Sequence, residues 1–204
     1  MNAPESAGVA RKRTGRRVGP TVSNRVILDI ARRQFARRGY EGTTMRTIAQ
    51  EARVDTALIH HFFLTKEGLF EAAIRDALNP PDLVARVLNG PRGRVGERTV
   101  QLFFTFWDTP TTQARLTGVL RSVTAVSGAA EAVRRFLGDD VLYPLTEALG
   151  RENPRLRASV TGASLIGLAT TRYVLKVRPV ASLSPADLAA ASARTFQTYL
   201  TGAL

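Results

Sequence analysis

Apolar side chains recur at intervals of three and four along most of the chain, the spacing of amphipathic helices, and no stretch alternates in the manner of a strand. Val26, Ile27, Ile30, Ala31 and Phe35 form the first stripe, with Arg32, Arg33, Arg37 and Arg38 falling largely outside it. This predicts a helix capped by Ser23 and closed by Gly39. Thr43 or Thr44 can then cap a second helix through about Ala52 with Ile48, Ala49 and Ala52 inward. Arg53-Val54-Asp55 reads as a turn, Asp55 as the cap of a third helix with Ile59 and Phe63 inward, and Thr65 as the cap of a fourth running from Lys66 to about Ala77. Asn79-Pro80-Pro81 stops that helix, because proline lacks an N–H donor and disfavours helix in the residue before it. Further helices are expected near 82–89, 95–107, 111–126, 129–149, 154–177 and 185–202, punctuated by Asn89-Gly90-Pro91-Arg92-Gly93 and Asn153-Pro154. The expected fold class is all-α.

Residues 43–66, TTMRTIAQEARVDTALIHHFFLTK, place two short helices around a tight turn, followed by the start of a third. That is the arrangement by which a helix-turn-helix sets a recognition helix into a DNA major groove. With Val54 and Ile59 facing inward, Thr56, Ala57, His60 and His61 project outward. Thr44, at the amino end of the second helix, offers a hydroxyl and helix-terminal N–H groups to a phosphate, and Arg46 follows within one turn. Lys66, opening the fourth helix, adds a charge of the same use. The histidines at 60 and 61 are the only two in the chain, and adjacent helical residues diverge by about 100 degrees. They therefore cannot chelate one ion together, and neither a metal site nor catalysis is expected of them.

The composition fits that direction. The chain has 204 residues, 44% hydrophobic and 23% charged, enough for a proper core in one domain or two small ones. Its net charge of +12 favours a polyanionic partner, either nucleic acid or an acidic membrane surface. Residues 1–20 carry Arg11, Lys12, Arg13, Arg16 and Arg17 without an apolar period and read as a flexible basic arm. With no cysteine, disulfides, thiol catalysis and thiolate metal sites are excluded. The N-terminus lacks the apolar core of a signal peptide, and Ala158–Thr171 is too short and polar for a span needing about 20 residues. A cytoplasmic protein without membrane association or cofactor is expected. No phosphate loop, nucleophile elbow or paired-carboxylate pattern points to an enzyme.

The run Gly39-Tyr40, Thr43-Thr44, Ile48-Ala49, Val54-Asp55, His60-His61-Phe62-Phe63 and Thr65-Lys66-Glu67-Gly68-Leu69 resembles the DNA-binding segment of the tetracycline-repressor (TetR) family over residues 23–78. Carried over position by position, the resemblance implies DNA contacts by Thr44, Arg46, Thr56, Ala57, His60, His61 and Lys66. Two positions depart from the family pattern. Arg53 stands where glycine is usual, and a left-handed non-glycine residue costs about 1 kcal/mol. His60 stands where tyrosine is frequent, so the base preference does not transfer.

The resemblance further implies a three-part organisation: an arm (1–20), a DNA-binding domain (21–79) and a helical ligand-binding and dimerisation domain (80–204). Phe103, Phe104, Phe106 and Trp107 crowd one helix, with Phe136, Tyr143 and Tyr173 available to face it; Phe103, Phe104, Trp107, Arg121, Tyr143 and Tyr173 are the expected pocket residues. Asp108 and Arg172 are further polar candidates. Ser159, Ala163, Gly167 and Thr171 recur every four residues, and with Ala186, Ala190 and Ala193 they form the expected dimer face. The implied function is a homodimeric repressor on a palindromic operator in double-stranded DNA, released by a small apolar or amphipathic effector. The competing reading is a basic helical nucleoid or RNA-binding protein without operator specificity.

Overall fold

The computed structural model describes residues 20–107 and 128–204, and every described regular element is helical. Helix α1 spans Pro20–Arg38, α2 Met45–Ala52, α3 Thr56–Phe63, α4 Lys66–Leu78, α5 Pro80–Leu88 and α6 Val95–Trp107. Beyond the undescribed stretch, where the expected helix 111–126 lies, α7 is described over Gly128–Arg135 and α8 spans Tyr143–Ala148. Helix α9 spans Pro154–Ala169 and α10 Pro185–Thr201.

Two helices depart from the sequence reading near their starts. Helix α1 is already helical at Pro20, the first described residue, so Ser23 lies inside it, and α5 begins at Pro80 rather than residue 82. Proline's fixed φ suits a first turn, where its missing N–H would have no partner anyway. At the other end of α1, Gly39 (φ +73) donates its N–H to the Phe35 carbonyl at 3.0 Å. Asn79, in left-handed conformation, separates α4 from α5.

Where one straight helix was expected over 129–149, a π turn at Phe136–Leu142 joins α7 to α8. The Tyr143 N–H reaches back to Gly138, five residues away. Pro144 explains the widening: its ring would collide with the carbonyl four residues earlier in a regular helix. A second π turn, Thr170–Val174, follows α9 and ends the helix short of residue 177.

Most of the buried apolar residues among those described fall into two clusters. One joins α1 to α4 through Ile27, Ile30, Phe35, Ile48, Ile59 and Leu69. Val26, expected in that stripe, is 43% exposed, because Ile27 and Ile30 already fill the inward arc. The other cluster joins α5 to α10 through Val100, Phe104, Leu145, Leu165, Phe196 and Leu200. Helix α6 lies along α10 at close range, which Gly96 permits: a Cβ there would meet the Ala193 carbonyl oxygen at 2.7 Å and Gln197 Cα at 2.8 Å. No helix among the described residues is long and apolar enough to cross a membrane.

Ion pairs tie α4 to the segment around the first π turn. Arg75 binds both carboxylate oxygens of Asp140, the Nη2–Oδ1 distance being 2.8 Å. Glu71 accepts from Arg75 at 2.8 Å and faces Arg135 at 3.7 Å.

Candidate nucleic-acid interface and apolar cavity

The three caps of the helix-turn-helix are local: of the two threonines expected to cap α2 it is Thr44 that does so, and Asp55 and Thr65 cap the next two helices. Thr44 Oγ1 accepts the Thr47 N–H at 3.1 Å while Thr47 Oγ1 accepts the Thr44 N–H at 3.2 Å, a reciprocal capping box at the start of α2. Asp55 accepts the Ala57 N–H at 2.7 Å and Thr65 accepts the Gly68 N–H at 3.1 Å. Gly68 is required where it stands, since a Cβ there would overlap the Phe63 carbonyl oxygen.

Arg53 adopts a left-handed conformation (φ 55, ψ 42) that a glycine would take more cheaply, and α2 ends on it. The turn forms with arginine in that place. Gln34, only 6% exposed, fixes the angle between α1 and α2: its Nε2 donates to the Thr47 carbonyl at 3.2 Å and to Glu51 at 2.7 Å, and its Oε1 accepts from Thr47 Oγ1 at 3.0 Å. Sequence reading passed over this residue, although a lone amide inside the stripe formed by Ala31 and Phe35 was a usable signal.

Helix α3 is anchored by Ile59, which is 0% exposed, and presents Ala57, His60 and His61 on its open side with Thr56 half-buried. Thr44 and Arg46 are exposed at the start of α2. Phe63 is half-buried rather than fully inward, as is Phe62. His60 Nδ1 lies 3.0 Å from the Leu64 carbonyl oxygen, and Leu64 itself is 77% exposed with φ 62. A carbonyl cannot donate, so Nδ1 carries the proton of that bond and Nε2 of the neutral ring is an acceptor. Lys66 sits half-buried with Nζ 4.2 Å from the centre of the Tyr40 ring. The expected DNA-contacting side chains thus occur on α2, α3 and the start of α4.

A cavity of about 520 Å³ opens between the two core clusters. Its wall is drawn from α1 (Phe35, Ala36), α4 (Phe70, Ile74), α5 (Leu83, Val84), α6 (Phe103, Trp107), the first π turn (Phe136, Leu137) and α9 (Leu165, Ile166). Phe103 and Trp107 line it. Phe104 does not: it is buried in the core cluster, its ring against Phe103 and Tyr173. Tyr173 lies behind Trp107, stacked on it at 5.0 Å, and Tyr143 turns to Glu147 (3.2 Å) and to Arg155. Arg172 donates to the Val180 and Leu183 carbonyls at 2.9 and 2.6 Å and so holds the loop after α9. Arg121 and Asp108 lie outside the described residues. The contribution of α1 to the wall had no counterpart in the sequence reading, because Phe35 and Ala36 lie far along the chain from Phe103, Phe136 and Ile166 and only tertiary packing brings them together.

Of the small residues expected at a dimer face, Ser159, Ala163 and Gly167 are exposed along α9, flanked by the exposed Leu156, and Thr171 is half-buried. Ala186 and Ala190 are exposed on α10, whereas Ala193 is half-buried where α10 meets Gly96.

Comparison with known proteins agrees with this geometry. Residues 27–73 match the family model for bacterial regulatory proteins of the tetR family, and residues 93–200 that for the tetracyclin repressor-like C-terminal domain. A TetR-family regulator from Streptomyces coelicolor is 32% identical over 92% of this chain and 99% of its own, with a TM-score of 0.65. The multidrug binding protein EbrR, solved with proflavin, shares the fold at 16% identity and a TM-score of 0.55, over 87% of this chain and 99% of its own. The HTH-type transcriptional regulator BetI of Burkholderia thailandensis is 36% identical over 52 residues, 26% of this chain and 27% of that relative's length.

Proposed function

Because the chain belongs to the TetR family of bacterial regulatory proteins, we propose that it is a homodimeric transcriptional repressor that binds a palindromic operator and is released by a small apolar or amphipathic molecule. The observation that carries this reading is the open side of α3, where Ala57, His60 and His61 are exposed while Ile59 is buried beneath them. Thr56, Ala57, His60 and His61 would face base edges, with Thr44, Arg46 and Lys66 on the phosphates. Two such helices would enter successive major grooves about 34–36 Å apart. The protein would act in the cytoplasm.

The exposed small-residue faces of α9 and α10 support dimerisation through these helices, since small side chains let helices approach closely. The cavity supports an apolar or amphipathic effector, acting through its different affinity for the two arrangements of the helix pair. Selecting bound fragments from the source genome tests the reading. A shared inverted repeat is the expected result; binding that is equal on selected and random DNA would reject operator specificity. Ala163→Arg is expected to yield a monomer by light scattering and to lose operator affinity, and an intact Ala163→Arg dimer would move the interface elsewhere.

A further inference from the structure

The cavity has two aromatic walls, and they belong to different halves of the molecule. Phe35 and Tyr40 from α1 and the turn after it meet Phe70 of α4 edge-on, with ring centres 4.8 and 5.1 Å away. Phe103 and Trp107 of α6 lie 5.6 Å apart, with Phe106 beside them in the wall. The first group is packed with the helix-turn-helix and the second with the C-terminal helices.

The polar side chains of the described wall already have partners. Arg32 is bound to Asp76 at 3.0 Å and Arg33 to Asp29 at 2.7 Å. Thr99 donates to the Val95 carbonyl at 2.9 Å, and Tyr40 donates to Glu67. A charged ligand would have to break one of these pairs or lose its own hydration unpaid, whereas an aromatic face finds edges and faces on both sides.

We propose that this cavity takes a flat, uncharged aromatic molecule held between Phe35, Tyr40 and Phe70 on one side and Phe103, Phe106 and Trp107 on the other. The proposal rests on the effector reading above and sharpens it. Such a ligand touches the helix-turn-helix unit directly through α1 and α4, so its binding favours the one relative placement of the two halves in which both aromatic groups face the cavity. Placement of α3 is then set by the ligand without a relay through other side chains.

Trp107 is the only tryptophan of the chain, so its fluorescence reports occupancy of the wall directly. The full-length protein is titrated with N-phenyl-naphthylamine, which is uncharged, with its sulfonated analogue anilinonaphthalene sulfonate, and with decanol as an uncharged aliphatic competitor. The neutral amine is expected to quench Trp107 saturably and to bind at least about 10-fold more tightly than either of the others. Equal or tighter binding of the sulfonate, or displacement of the amine by decanol at comparable concentration, overturns the ligand class. Phe70→Leu and Phe103→Leu are each expected to weaken the amine about 3- to 10-fold. Loss in Phe103→Leu alone, with Phe70→Leu folded by circular dichroism and binding normally, overturns the two-sided clamp. Release of selected DNA is read in parallel: an amine that binds as described but leaves DNA binding intact sustains the site and refutes the effector role.

Discussion

Tyr40 donates its hydroxyl proton to Glu67 Oε1 at 2.5 Å, joining the turn after α1 to the first turn of α4. Gly128, at the described start of α7, packs on both groups: a Cβ there would lie 2.5 Å from the Tyr40 hydroxyl and 2.5 Å from Glu67 Oε1. Lys66 lies over the same tyrosine ring. One tyrosine thus touches the proposed phosphate anchor, the helix-turn-helix unit and the C-terminal helices.

This contact makes stability depend on pH at both ends. Hydrogen bonding from Tyr40 first, then from the backbone, holds the Glu67 carboxyl below its ordinary range. Its contribution is present above the ordinary glutamate value and is lost as pH falls through the lowered one. Burial first, then the bond to Glu67, raises the Tyr40 phenol, so its contribution is present below the ordinary tyrosine value and is lost as pH rises above it. Tyr40→Phe is expected to cost about 1 kcal/mol at neutral pH and to flatten both limbs. Urea midpoints measured from pH 3 to 7 test the acid limb; a Tyr40→Phe curve parallel to wild type would show that Glu67 owes its shift to something else.

On the DNA side, His60 is pinned by its Nδ1 bond to Leu64, which leaves Nε2 of the neutral ring as an acceptor. In the major groove an acceptor pairs with the amino group of adenine or cytosine and meets only acceptors on guanine. His60→Ala is expected to weaken operator binding by about 1–3 kcal/mol and to leave random DNA nearly unchanged. Lys66→Ala should weaken both and reduce the salt slope by about one. Fluorescence titration at several salt concentrations separates the two patterns. Equal losses on operator and random DNA for His60→Ala would remove its base-reading role.

How much of this was legible in the sequence follows from how far apart the partners lie. Thr44, Asp55 and Thr65 were readable as caps because each bonds an N–H within three residues of itself. The inward set of α1 was readable from its period, apart from Val26. Pro144 carried a signal for the π turn that periodicity alone conceals. The cavity was not readable: its wall joins Phe35, Leu83, Phe136 and Ile166, which only tertiary packing brings together. Nor were the arginines that serve the fold. A positive excess reads as an affinity for phosphate, yet Arg98 donates to the Val87 and Pro91 carbonyls at 2.7 and 2.9 Å and so closes the end of α5.

Gly96 gives a test of the α6 and α10 packing. The atoms a methyl group would strike there are backbone atoms of Ala193 and Gln197, which cannot swing aside, and the Gly96 N–H is bound to Gln197 Oε1 at 2.9 Å. Gly96→Ala would gain helix propensity of about 1 kcal/mol but must separate the two helices. A net loss of about 1–3 kcal/mol is expected, seen as a Tm lower by several degrees. An unchanged Tm would mean that α10 shifts freely along α6.

Arg157 is 5% exposed, and its guanidinium is spread over three carbonyls, of Glu152 at 2.7 Å, Tyr199 at 2.8 Å and Gly202 at 2.9 Å. Two of these belong to the end of α10, where carbonyls without helical partners carry the negative end of the helix dipole. The charge is therefore compensated by peptide groups, and the guanidinium's several donors can satisfy all three at once. Arg157→Lys keeps the charge but has one nitrogen in place of three, so it should restore little. Arg157→Met removes the buried charge yet leaves the carbonyls without donors, costing about 2–4 kcal/mol. Because α10 contributes the exposed Ala186 and Ala190 to the proposed dimer face, its loosened end should raise the dimer dissociation constant as well. Thermal melts with sedimentation at several concentrations measure both effects. Arg157→Lys as stable as wild type would show that charge at the helix end, rather than the count of donors, holds α10 in place.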